Sequence, residues 1–350
     1  MSRDMRRRDM MRSVAAGASV ATMLSISGCL GDDDGVSEDE LVYSGPLILL
    51  EDTTDIVPVQ LGFQQGTWAE YGLELEYNIS TYPEWARALT SGPADMSAPN
   101  QAEFARSYNG GYEPVIFCPG EIQFNDIFVR PDSDIEGPAD LEGRTIGLPG
   151  AESSTTLGFR SVILDEFGFD IIEDTDAVVS EPPAIYDLLL EEEIDACLQF
   201  TGQTVRGYAN PDDLRPIFDL NEYWESRTGH SLEVTYWGGR SEFLETNPEA
   251  ALNFAQAWSD SVDLVADDPQ GAFDQFGLLS GLSSDDEVDV AVERFEEGRL
   301  LNGDLDSWGG AYLDAQYEFI ELMAETGSIE DAPPREAMIS TDELESLAEE

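Results

Sequence analysis

Asp140 to Gly168 reads DLEGRTIGLPGAESSTTLGFRSVILDEFG, and this stretch decides the fold. Asp140–Gly143 is turn chemistry, and Arg144–Leu148 is a short apolar run fit for a buried strand. Pro149-Gly150 breaks it. Ser153 or Ser154 can then cap a helix running to about Glu166 and stopping at Gly168, with Leu157, Ile163, Leu164 and Phe167 on its apolar side. A strand, a glycine turn and a helix start rich in hydroxyls (Ser153, Ser154, Thr155, Thr156) make a candidate binding device. The first N–H groups of a helix lack internal partners, and its dipole is positive there. Taken alone, the same residues are also those of any well-capped helix.

The pattern recurs along the chain. Leu41–Leu50 reads as a strand, Glu51–Asp55 as a polar loop and Val57–Trp68 as a helix, and Leu73, Leu75 and Tyr77 alternate as a half-buried strand. Helices at Tyr82–Thr90 and Asn100–Tyr108 alternate with strands at Asp95–Ala98 and Pro114–Cys118. Asn125–Arg130 is a strand that leaves this first unit. The second continues with strands at Ala177–Val179 and Asp195–Gln199 and helices at Pro183–Glu192 and Gln203–Tyr208. Ser231–Trp237 returns to the first. From Thr246-Asn247-Pro248, an N-cap with proline at N1, everything to Gly327 reads as helix. Strands alternating with helices predict an α/β fold with parallel-rich sheets. A faint echo supports two such sheets: Leu89–Met96 and Leu189–Ala196 each end a helix, turn, and set an aspartate (Asp95, Asp195) before a short strand. Facing sheets would bring Ala98–Gln101 and Phe200–Gln203 to opposite walls of one cleft.

Composition bounds the function. The 350 residues include 73 Asp+Glu against 17 Lys+Arg, every base is an arginine, and the net charge is −56. Such a body repels nucleic acid and anionic membranes. Adaptation to concentrated brine is the simplest account, since at about 1 M salt the screening length is roughly 3 Å. One histidine (His230) and three cysteines make a metal site improbable. Cys118 and Cys197 lie in apolar runs where a buried reduced thiol is the default, although a disulfide between them stays open.

Residues 1–28 read as an export signal. Arg7-Arg8 fits a twin-arginine pattern, an uncharged run follows from Ser13 to Ser27, and Ile26-Ser27-Gly28-Cys29 resembles a lipobox that would lipidate Cys29. Residues 29–40 are an acidic tether. The remaining expected organisation is a first lobe of 41–125 plus 236–327, a second of 126–235, and an acidic, loosely held tail of 328–350.

Four motifs stand in order along the chain: Gly66–Leu75 (GTWAEYGLEL), Ala88–Asp95 (ALTSGPAD), Asp140–Gly147 (DLEGRTIG) and Ile194-Asp195-Ala196. In these the chain resembles the substrate-binding proteins of ABC importers, in the class that covers aliphatic sulfonates, taurine, nitrate and thiamine pyrimidine precursors. The resemblance implies a two-lobed, type II periplasmic-binding-protein-like fold hinged between lobes, with the helical C-terminal part packed on lobe one. It implies a small-molecule ligand, permease and ATPase partners, a lipid-anchored monomer on the extracellular face, no cofactor and no catalysis. Carried over residue by residue, the ligand wall comprises Thr53, Thr54, Thr81, Tyr82, Trp85, Asn100, Gln101, Ser153, Ser154, Thr155 and Thr156, with Phe200, Tyr236 and Trp237 beside them. Arg87 or Arg160 could neutralise an anion, and Tyr82, Trp85 or Trp237 could stack on a heterocycle. Two other functions are open. One is a sensory surface lipoprotein without transport. The other is a pyrimidine-precursor enzyme of the same fold, but that chemistry needs a lysine Schiff base and this chain has no lysine.

Overall fold

The computed structural model describes residues 41–91 and 94–349. The signal, Cys29 and the tether lie outside the described residues. The first lobe opens with β1 (Tyr43–Leu50), α1 (Ile56–Gln65), a one-turn α2 (Thr67–Glu70), β2 (Leu73–Ser80), α3 (Tyr82–Ser91), β3 (Met96–Ser97), α4 (Gln101–Asn109) and β4 (Pro114–Pro119). The second holds β5 (Asp126–Val129), β6 (Thr145–Leu148), α5 (Ser154–Phe167), β7 (Asp176–Val179), α6 (Pro182–Leu190), β8 (Ala196–Leu198), α7 (Thr201–Ala209), β9 (Arg215–Asp219) and α8 (Leu220–Thr228). The chain returns through β10 (Tyr236–Arg240) and ends in α9 (Ser241–Thr246), α10 (Pro248–Asp267), α11 (Pro269–Phe276), α12 (Asp285–Glu296), α13 (Gly310–Glu325) and α14 (Thr341–Ala348).

Two five-stranded sheets result, ordered β2-β1-β3-β10-β4 and β7-β6-β8-β5-β9. The orders are equivalent position by position: three parallel strands, one antiparallel strand delivered by the crossing chain, and an edge strand. The sequence echo falls where this equivalence requires. Asp95 accepts a hydrogen bond from Tyr43 of β1 (3.1 Å), and Asp195 accepts one from the Thr145 amide of β6 (2.9 Å), so each ties a turn to the strand beside it. β1 carries Leu47 and Leu49 in the core, whereas β2 buries Leu73 and Leu75 and exposes Glu74 and Glu76. That is the alternation of a strand with one wet face.

The crossing segments sit slightly apart from their expected positions. β5 already belongs to the second sheet, so the outward link is 120–125, and β10 starts at Tyr236, so the return link is 231–235. A third segment joins them. Ile122 N–H bonds Leu300 O (3.0 Å), Asn302 N–H bonds Gly120 O (2.9 Å), Gln123 N–H bonds Leu232 O (2.7 Å) and Val234 N–H bonds Glu121 O (2.7 Å). The hinge is therefore a short three-stranded ribbon.

Helices α10, α11, α12 and α14 contribute to the first lobe's core, where Trp258 and Phe254 flank Trp237 at 5.2 and 4.9 Å between ring centroids. α13 lies elsewhere: Phe319 packs edge-on against Trp224 (5.0 Å), and Leu313, Ile320 and Met323 share a core with Val162 of α5. The expected loose tail is docked. Met338 bridges to Ile116, Leu344 is fully buried, and Ser340 and Glu343 form a capping box at the start of α14. Cys118 (β4) and Cys197 (β8) are separate buried free thiols.

Candidate functional site

Four helix starts converge between the lobes: α1 and α4 from the first, α5 and α7 from the second. Glycine permits the closest approach. A Cβ on Gly202, in the first turn of α7, would lie 3.0 Å from Asp52 O and 3.1 Å from Ser280 O, so the backbones of the two lobes touch there.

At α5 the predicted helix is realised closely. Ser153 is the N-cap and accepts from Thr156 N–H (3.2 Å), and Gly168 ends the helix in the left-handed region at φ 78°. Ser154, buried, crosses to the other lobe: its hydroxyl accepts from Ala102 N–H (3.1 Å) and donates to Gln101 Oε1 (3.2 Å). Gln101 in turn donates through Nε2 to Glu233 O in the hinge. Asn100 caps α4 by accepting from Glu103 N–H (2.9 Å). One turn further on, Arg106 donates to Glu103 (2.6 Å) and across the cleft to Glu152 O (2.6 Å). Tyr82 OH completes this cluster by donating to Glu103 (2.7 Å). A depression of about 770 Å³ opens beside these contacts, lined among others by Arg106, Glu152, Arg160 and Glu173.

The cleft floor is built from residues that the sequence reading passed over. Glu121 of the outward link reaches the start of α1, where its Oε1 accepts from Thr54 N–H (2.6 Å) and from the Thr54 hydroxyl. Asp55 lies beside it, with Oδ1 2.5 Å from Thr53 Oγ1. Glu121 is 1% exposed and Asp55 3%. Burial raises both carboxyls above the ordinary range, and the Asp55 charge raises Glu121 further. Asn125 ties two helix starts together, accepting from Thr201 N–H (2.9 Å) and donating to Thr155 Oγ1 (3.3 Å). In the hinge, Glu233 accepts from Gly120 N–H (3.3 Å), Asn302 Nδ2 (2.6 Å) and Tyr312 OH. Burial pushes Glu233 up to about 7, with the Tyr312 and Asn302 bonds opposing that rise.

The structure thus gathers Thr53, Thr54, Asn100, Gln101, Ser153, Ser154, Thr155 and Thr156 around one cleft, with Phe200 as the residue preceding α7. It places others differently. Trp85 is 1% exposed and packs with Ile48, Ala88 and Ala94 beneath α3. Trp237 lies in the α10 core, so neither offers a stacking face. Tyr236 is buried against Trp308 (6.0 Å). Thr81 is exposed and bonds Glu84 (3.2 Å). Arg160 is committed to Asp170 (2.7 Å) and Gly327 O (3.0 Å). Arg87 is on the exposed side of α3.

Paired sheets of this order, crossed by hinge strands and closing at facing helix starts, define the two-lobed, type II periplasmic-binding-protein-like fold. The chain belongs to the NMT1/THI5-like family, whose model matches residues 53–272. Solved structures share the fold. The periplasmic aliphatic sulphonate binding protein SsuA from Escherichia coli is 14% identical, with a TM-score of 0.66 over 84% of this chain and 91% of that one. The periplasmic nitrate-binding protein NrtA from Synechocystis is 12% identical, with a TM-score of 0.65 over 88% and 89%. A DszB mutant in complex with biphenyl-2-sulfinic acid is 14% identical, with a TM-score of 0.61 over 87% and 99%. No curated protein matches the chain.

Proposed function

We propose that this protein is the solute-binding component of an ABC importer, exported and held at the outer face of the membrane through Cys29. It captures one small solute by closing its lobes and presents the closed body to a permease. The observation that supports this reading best is the direct bonding of α4 to α5 across the cleft, through Ser154 and Arg106. A pair of lobes that meets at buried polar helix starts, over a ribbon hinge, is suited to alternate between open and closed states. Catalysis finds little support. There is no lysine for a Schiff base, and burial raises the Cys118 and Cys197 thiols, which keeps them protonated and unreactive.

The test is a thermal-shift screen in concentrated KCl with sulfonates, nitrate, taurine, pyrimidine precursors and small amines, followed by small-angle scattering of any hit. Binding to the folded state raises Tm by mass action. A hit that also contracts the radius of gyration supports capture by closure. A hit that raises Tm with no contraction, at saturation, overturns it.

A further inference from the structure

We infer that residues 327–331, together with α13, form a strap across the edge of the cleft that fixes how far the two lobes can part. This rests on reading the lobes as bodies that open and close.

Past the hinge ribbon the chain crosses between the lobes twice more, and both crossings are short. Trp308 is held by the docked tail of the first lobe: its Nε1–H bonds Ile339 O (2.9 Å), and its carbonyl accepts from Thr341 N–H (3.0 Å). Two residues later α13 begins, and it is seated on the second lobe. Phe319 stands edge-on to Trp224 of α8 (5.0 Å), and a Cβ on Gly158 of α5 would come 3.2 Å from the same phenylalanine ring. Thr326 donates to Ser161 Oγ of α5 (3.0 Å), and Glu318 pairs with Arg227 of α8 (3.7 Å). On the way back, Arg160 of the second lobe donates to Gly327 O (3.0 Å), and Asn109 of the first lobe donates to Asp331 O (3.0 Å). Ile339 N–H then bonds Ile116 O of β4 (2.9 Å), which returns the chain to the first sheet. Residues 327–330 also wall the depression between α4 and α5, so they bridge a gap that widens when the lobes part. An extended chain spans at most about 3.3–3.6 Å per residue, so the two anchored carbonyls can stand no more than ~14 Å apart while both bonds hold. A hinge sets the direction of a motion, and a tether of fixed reach sets its limit. Limiting the open state keeps more molecules near closure, which favours capture. The family match ends at residue 272, so the strap lies outside the part of the chain that the family model covers.

The test measures distances between paired spin labels on the full chain in concentrated KCl, in a Ser154→Ala background that removes the inter-lobe bonds of that hydroxyl. Cys118 and Cys197 are buried, so with Cys29→Ser only introduced thiols react. One pair joins the lobes, Glu249→Cys in α10 with Asp187→Cys in α6, and the other joins Glu321→Cys in α13 to Asp187→Cys, all at exposed positions. Inserting Gly-Ser-Gly-Ser between Glu330 and Asp331 adds up to ~13 Å of reach. It is expected to move the long-distance edge of the lobe-to-lobe distribution outward by at least ~5 Å and to leave the α13-to-second-lobe distance narrow and unchanged. Asn109→Ala, which frees the first-lobe anchor, is expected to move the same edge outward by less, and it covers the case of the insertion folding poorly. A lobe-to-lobe distribution that is broad but identical in the parent, the insertion and Asn109→Ala overturns the strap and leaves capture by closure standing. A narrow distribution in all three overturns both, because the lobes then do not part. A shifted α13-to-second-lobe distance overturns the inference by placing α13 with the first lobe.

Discussion

Ser154→Ala is the sharpest perturbation of the closed state. The Ser154 hydroxyl makes two bonds to the opposite lobe, one from Ala102 N–H (3.1 Å) and one to Gln101 Oε1 (3.2 Å). A buried hydrogen bond contributes about 0.5–1.5 kcal/mol net, and an abandoned buried partner costs about 1–3 kcal/mol. The closed form therefore loses about 1–3 kcal/mol relative to the open form, in which both partners reach water. Apparent affinity scales with the fraction of molecules able to close, so Kd rises by roughly 5- to 150-fold. Because the bonds are between lobes, the factor is the same for every guest, and it falls chiefly on the dissociation rate. Titration calorimetry with two unrelated guests, together with stopped-flow dissociation, measures it. If the two guests lose affinity by factors differing more than about fivefold, Ser154 touches the guest and the latch reasoning fails. An unchanged Kd refutes it as well.

Three further outcomes follow from named contacts. Glu233 titrates at about 7 in the fold against 4.5 when exposed, so the stability it confers is complete below pH 4.5 and is lost as pH rises through 7. At about 1.36 kcal/mol per pKa unit this loss is on the order of 3 kcal/mol. Glu233→Gln should flatten that part of the slope in denaturant melts between pH 5 and 8, and an identical slope in the variant removes Glu233 from the balance. Gly202→Ala puts a methyl 3.0 Å from Asp52 O and 3.1 Å from Ser280 O, neither of which is a flexible side-chain end. It should hold the lobes ajar and cost about tenfold in affinity for any guest, with circular dichroism unchanged; full affinity would mean the lobes do not meet there. Leu344→Ala empties a fully buried site under α14 and should cost about 2–5 kcal/mol, whereas a loss below about 0.5 kcal/mol would show the tail to be undocked.

Which of these features the chain announces depends on how far apart the cooperating residues stand. Ser153 and Gly168 cap α5 through bonds spanning a few residues, so their chemistry can be read locally, and so can the buried runs of β4 and β6. The capping box of Ser340 and Glu343 is equally local, but the acid and proline content around it points toward a loose tail, and the apolar anchors Met338 and Leu344 outweigh that composition. Trp85 and Trp237 illustrate a different limit. An aromatic beside a strand end has the same local pattern whether it faces a cleft or a core, and only the arrival of α3 and α10 decides the matter. Glu121, Asn125 and Glu233 were beyond local reading. Their burial is set by a ribbon whose three segments lie near residues 121, 233 and 301, and in a chain with 73 acids another glutamate carries no signal by itself. Brine adaptation and a carboxylate-lined cleft use the same residue type for opposite ends, one to bind water at the surface and the other to be stripped of it. Burial is the physical property that separates them, and it sets Glu121 and Asp55, each held by hydrogen bonds from Thr53 and Thr54, apart from the many exposed acids.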